Sequence, residues 1–203
     1  MAKIIGIDIQ NRYVRATLLV TTYRKISIEA VSEIDRSETP SVEEAVQACL
    51  LPIIHQSDSV AVAVDGDVAF IHRMTLPPTA LKQLSEVIPF ELEAQVPVDI
   101  DDLVYDFVQL PRESSESPVS VLAAAVRTEH VKQRLEIVSR AISREPERVG
   151  VGALPLANLA SVTPELFADR IIVCRFAIAV SRTLFPLLTA VFTSLLPSIS
   201  RTA

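Results

Sequence analysis

A chain of 203 residues, 49% hydrophobic and 22% charged, has room for one large or two small domains and is too apolar for disorder. Its two cysteines, Cys49 and Cys174, four glycines and three histidines exclude a disulfide framework, a cysteine–histidine metal centre and a glycine-rich phosphate cradle. All 25 acids lie at or before Asp169, against 16 of the 19 bases at or before Arg170, so residues 1–170 carry −9; an acidic body without a basic stripe excludes nucleic acid as a partner.

The opening MAKIIGIDIQ lacks a basic region followed by a long apolar core, so a first strand over Lys3–Ile9 is expected and not a secretory signal. NRY then interrupts, and VRATLLV alternates Val14, Ala16 and Leu18 with Arg15 and Thr17, which predicts a tight hairpin. KISIEAVSEI predicts a third antiparallel strand with Ile26, Ile28, Ala30 and Ile34 on one face. A helix follows from Ser41, with Val42, Ala45, Val46, Cys49, Leu50 and Ile53 at helical spacing and Glu43 and Glu44 in its first turn. SVAVAV is a short continuous apolar run, read as a strand buried on both faces. Asp65-Gly66 turns the chain into a strand that ends at Pro77-Pro78.

Beyond it, Leu81, Leu84 and Ile88 form one stripe of a helix broken by Pro89 and resumed as FELEAQV. Two strands follow, LVYDFVQL and VSVLAAAV, then a long helix from Thr128 to Arg144 and a strand in RVGVGAL leading into a helix. The last 33 residues hold Arg175, Arg182 and Arg201 but no acid, lysine or glycine, and Pro186 and Pro197 interrupt their uncharged stretch. Residues 171–203 are therefore an atypical apolar tail, and three readings of it stay open: a non-native segment, a membrane-contacting one, or part of the fold.

Two places carry candidate chemistry. Asp8, inside the apolar run IIGIDIQ, is costly to bury without a partner; the competing account has it at the strand end, accepting backbone amides of the QNR turn. A magnesium nuclease would recruit Asp65 and Glu43 or Glu44, but turn preference explains Asp65 and no basic substrate groove accompanies it. The second place is PFELEAQVPVDIDDLVYDF, where Glu91, Glu93, Asp99, Asp101 and Asp102 rim the apolar Phe90 and Tyr105. Carboxylates around apolar anchors make a partner surface. The histidines are scattered and read as structural, and neither a G-x-S-x-G elbow nor a cysteine beside a histidine marks a nucleophile.

The strings GIDIQNRYVRATLL, VAVAVDGDVAFIHRMTLPP and VIPFELEAQVPVDIDDLVYDFVQL together resemble the PilM and GspL families, actin-like cytoplasmic proteins of type IV pilus assembly and type II secretion. The third string is the most specific, and the likeness runs from about Lys3 to Leu166. The resemblance implies an α/β, ribonuclease-H/actin-like fold: one actin-like half over residues 1–170 with a βββαβ-type core (1–76 and 145–170) and an inserted subdomain, 1C, over 77–144. It also implies a non-catalytic scaffold at the cytoplasmic side of the inner membrane, bound to a motor ATPase and to basic cytoplasmic segments of platform subunits. Self-association stays open. Nucleotide-binding members carry D-x-G in the first hairpin; the matching positions here are Asp8, Ile9 and Gln10, followed by Asn11. Gln10 stands where backbone amides should approach a phosphate, which disfavours ATP and Mg2+. A second D-x-G is expected after Ile171, where the chain instead reads IIVCRFAIAV; an actin-like ATP-binding protein is the alternative function.

Overall fold

The computed structural model describes residues 2–22, 25–152, 154 and 155. In chain order the elements are β1 (Ala2–Ile9), β2 (Tyr13–Thr22), β3 (Lys25–Asp35), α1 (Val42–Leu50), β4 (Ser59–Val64), β5 (Ala69–Leu76), α2 (Leu84–Gln95), β6 (Leu103–Gln109), β7 (Val119–Arg127), α3 (Thr128–Ile142) and β8 (Arg148–Val151). The chain divides into two compact units, Met1–Gly66 with Gln133–Ala203, and Asp67–Lys132.

The first unit is built on a five-stranded sheet ordered β3-β2-β1-β4-β8. β1, β2 and β3 are antiparallel neighbours, whereas β4 runs parallel to β1, and β8 to β4. A parallel neighbour needs a long crossover, and α1 lies in the first of these. Alternate residues of the central strands (Ile5, Ile7, Ile9, Val14, Ala16, Leu18, Val60 and Val62) meet Val46 and Leu50 of α1 and Val138 of α3 in one core. The opposite face is buried as well, at Leu19, Thr17, Ala61 and Ala63, which is why β4 is apolar without alternation. α1 begins where Ser41 Oγ accepts the Glu44 amide at 3.1 Å, an N-cap worth about 1 kcal/mol.

One expectation for the third strand fails for a local reason. Leu18 pairs with Ala30 but Leu19 with Ile28, so a bulge at Glu29 resets the alternation. Ala30 and Ile34 pack on the core, whereas Ile28 lies on the other face and is 49% exposed.

In the second unit the sheet order is β5-β7-β6, all antiparallel. α2 lays Ile88 and Leu92, both fully buried, in a core with Met74, Leu76, Val119 and Val121; burying each of these two side chains contributes roughly 1.5–3 kcal/mol. The helix runs unbroken through Pro89, against the break expected there, because this buried stripe holds it on both sides of the missing amide. The inserted unit also starts and ends earlier than the expected 77–144. β5 pairs with β7 and so leaves the first sheet, while Leu135, Val138 and Ala141 tie most of α3 to the first core. The expected helix after β8 and the tail 171–203 lie outside the described residues.

Gly152 carries the tightest backbone approach. Its φ is +47°, and a Cβ there would stand 2.7 Å from Gly66 Cα, while its amide donates to Val64 O at 2.9 Å. Gly152→Ala therefore lowers stability by about 2 kcal/mol or more, read as a fall in the urea midpoint at unchanged m-value. Gly66→Ala, whose Cβ would meet Gly152 Cα at 3.2 Å, costs less.

Candidate functional site

The carboxyl ends of β1 and β4 gather the polar groups of the first unit. Asp8 and Arg15 face each other across the β1–β2 register, and each is 2% exposed. Gln10 bridges them: its Nε2 donates to Asp8 Oδ2 at 2.8 Å, and its Oε1 accepts from Arg15 Nη1 at 3.2 Å. Arg15 Nε also donates to Glu33 Oε2 on β3 at 2.5 Å, and the guanidinium stacks 4.9 Å from the Tyr13 ring. Two further arginines hold the backbone here. Arg36 Nη1 donates to Gln10 O at 2.8 Å, and Arg134 Nη1 to Ile9 O at 2.8 Å, while Arg134 Nη2 binds Asp65 Oδ2 at 2.6 Å.

Burial pushes the Asp8 carboxyl from 3.8 up to about 6. Arg15 opposes that rise most strongly, the charge of Asp65 adds to it, and Arg134 and the Gln10 hydrogen bond oppose it further. Asp8 therefore lies within the strand and accepts from the Gln10 side chain, in place of the backbone amides expected of the QNR turn.

The turn after β1 is occupied by its own groups. The carboxamide of Gln10 occupies the ground beside Asp8, and its backbone amide donates to Tyr13 O at 2.9 Å, so it is not free to cradle an anion. Asn11 points elsewhere: it is exposed and lines an open depression of about 720 Å³ with Arg12, Arg36, Ser41 and Val42. Among the described residues no three His, Cys, Asp or Glu side chains come together as a metal site. Cys49 is buried, and burial pushes its thiol up to about 11, which leaves it unreactive.

In the second unit the acidic string separates into two populations. On the outer side of α2, Phe90 is 72% exposed, Glu93 is exposed and Glu91 is half-buried. Asp101 and Asp102 are exposed in the 3-10 turn before β6, and Asp99 caps that turn by accepting the Asp101 amide at 3.0 Å. Tyr105, expected as a partner anchor, packs instead against the core of this unit with Leu103 and Phe107, since alternation along β6 turns all three inward. Exposed Val104 and Val108 occupy the other face.

Sequence reasoning missed Arg15, Glu33 and Arg134 as members of the first cluster. The signal was present for one of them, a lone arginine in the apolar run VRATLLV. Arg134 carried none, because a basic residue on a helix is usually solvated.

Three comparisons place the chain among known proteins. Residues 4–182 match the family model described as type IV pilus assembly protein PilM. The PilM–PilN type IV pilus biogenesis complex is similar in structure, with a TM-score of 0.63 at 21% identity over 80% of this chain and 50% of that one. So is the cytoplasmic domain of EpsL, an inner membrane component of the type II secretion system of Vibrio cholerae, with a TM-score of 0.53 at 17% identity over 76% and 58%. These likenesses carry the fold, which is the expected actin-like α/β type, and the chain spans about half the length of the first of these structures. No curated protein matches the chain significantly.

The raised Asp8 value fixes a pH dependence. Between about pH 4 and 6 the folded chain holds a proton on Asp8 that the unfolded chain has lost, so this group's contribution to stability falls as pH rises through that window. Above it the ionised, buried carboxylate costs roughly 3 kcal/mol, each tenfold change in proton affinity being worth about 1.4 kcal/mol. Asp8→Asn should raise stability at pH 7.5 by up to about that amount and flatten the slope between pH 4 and 6 in urea titrations. Destabilisation at pH 7.5 would contradict the assignment.

Proposed function

The chain belongs to the family of the type IV pilus assembly protein PilM, and on that premise we propose that it is a non-catalytic scaffold of a pilus or type II secretion platform at the inner membrane. It works by binding: the second unit receives a motor ATPase or the basic cytoplasmic end of a membrane subunit. The observation that carries this reading is the outer side of α2, where Phe90 is 72% exposed with Glu91 and Glu93 beside it. An aromatic held in water amid carboxylates suits a basic partner with an apolar contact residue, the carboxylates raising the association rate and the ring supplying affinity. No helix among the described residues is long and apolar enough to cross a membrane, so attachment to the membrane through platform subunits accords with the proposal. Nucleotide has no part in this mechanism, a reading supported by the Gln10 carboxamide bonded to Asp8.

Two measurements test it. Because Phe90 is outside the core, Phe90→Ala should leave the unfolding midpoint unchanged while weakening partner binding about 30-fold or more. Glu91→Lys with Glu93→Lys should slow association about tenfold at low salt and flatten its salt dependence. Unchanged binding in both variants refutes the docking surface. In a thermal scan, ATP with Mg2+ should leave the melting temperature where it was; a saturable rise, lost in Asp8→Ala, would establish the ATP-binding alternative.

A further inference from the structure

The polypeptide passes between its two units at two places, Gly66–Asp67 just after β4 and Lys132–Gln133 inside α3. The residues flanking these crossings on the first-unit side are bonded to each other. Asp65 immediately precedes the first crossing and Arg134 closely follows the second, and the two form an ion pair at 2.6 Å. The same guanidinium donates its other terminal nitrogen to Ile9 O at 2.8 Å, at the end of β1. The Arg134 side chain is only 12% exposed and Asp65 53%, so the ion pair is open to water on its acidic side, and the bond to Ile9 O is the better shielded of the two contacts.

The surroundings leave this end of the first unit little freedom. Gly152 donates to Val64 O, and its backbone lies so near Gly66 that a Cβ on Gly152 would clash with it. α3 is continuous through the second crossing, and from Leu135 onward it is fastened to the first core through Leu135, Val138 and Ala141. Arg134 is the seventh residue of α3, in its second turn, so its contacts hold the start of the helix as well as its own position.

We propose that Arg134 is a positioning residue that pins both crossings at a fixed spacing and ties that spacing to the β1–β2 turn. The same side chain thereby holds Ile9 and Asp65, the two neighbours of the Asp8–Gln10–Arg15 cluster, together with the helix that carries it. The device is independent of which partner docks, so it stands or falls apart from the scaffold reading.

Amide hydrogen exchange on the full chain at neutral pH tests it with three variants. Arg134→Ala should raise exchange about tenfold in three segments together: residues 65–68, 128–133 and the turn 10–13. Asp65→Asn weakens the ion pair but keeps the bond to Ile9 O, so exchange should rise at 65–68 and 128–133 while 10–13 stays as in the parent chain. Leu135→Ala, which loosens α3 without touching either polar contact, should not reproduce the three-segment pattern. The proposal is overturned if Arg134→Ala loosens only one segment, if its effect is spread evenly over the chain, or if Leu135→Ala gives the same pattern. Should Arg134→Ala fail to fold, the confined response of Asp65→Asn decides: absence of change at 128–133 sinks the pin.

Discussion

A carboxylate and a guanidinium, Asp8 and Arg15, lie side by side within a sheet whose other central residues are apolar, and the arrangement around them follows from the need to satisfy both. Arg15 reduces the cost of the Asp8 carboxylate at that depth without cancelling it, and Arg15 has a second carboxylate partner in Glu33. An amide is the side chain that can donate to one and accept from the other at once, and Gln10 does both. Arg15 has donors left over and reaches Glu33, which draws β3 into the same network. Asp65 and Arg134 then neutralise each other at the next strand end. Gln10 is thus the keystone of an internal polar chain.

The second unit obeys the opposite logic. Its hydrophobic face is satisfied by a single helix over three strands, and its polar residues shape turns or remain in water. The same stretch of sequence therefore yields Phe90 outside and Tyr105 inside. Helical spacing rotates position 90 away from the stripe made by Ile88 and Leu92, whereas alternation along β6 sends position 105 inward with Leu103 and Phe107.

Most of the element order was legible, because it rests on period and punctuation: three alternating strands, a capped helix at Ser41, and an apolar run too short to be a helix. What escaped depends on contacts distant in sequence. The boundary of the inserted unit at 77 was what the resemblance implied, and nothing within β5 itself tells that it pairs with β7. The bulge at Glu29 has no composition signal and inverted the faces of Ile26 and Ile28. Pro89 was expected to break a helix that tertiary burial keeps whole. At the site, Asp8 and Gln10 were visible as anomalies in a pattern, but the pairings to Glu33 and Arg134 span 18 and 125 residues from Arg15 and Ile9, and no local rule reaches that far.

The bulge divides β3 into two stretches under different selection. From Ala30 onward, the core-facing positions answer to volume, since Ala30 and Ile34 fill space beside α1 and β2. Before Glu29 the same parity faces solvent, where Ile28 is half exposed and what matters is that the outermost strand of the sheet attracts no foreign strand. Homologues should therefore vary freely in polarity at position 28 and narrowly in size at position 30, although the two are only two residues apart. A single-residue deletion at Glu29 would restore unbroken alternation and give the sheet a flat, extendable margin, trading a defect in regularity for a route to aggregation.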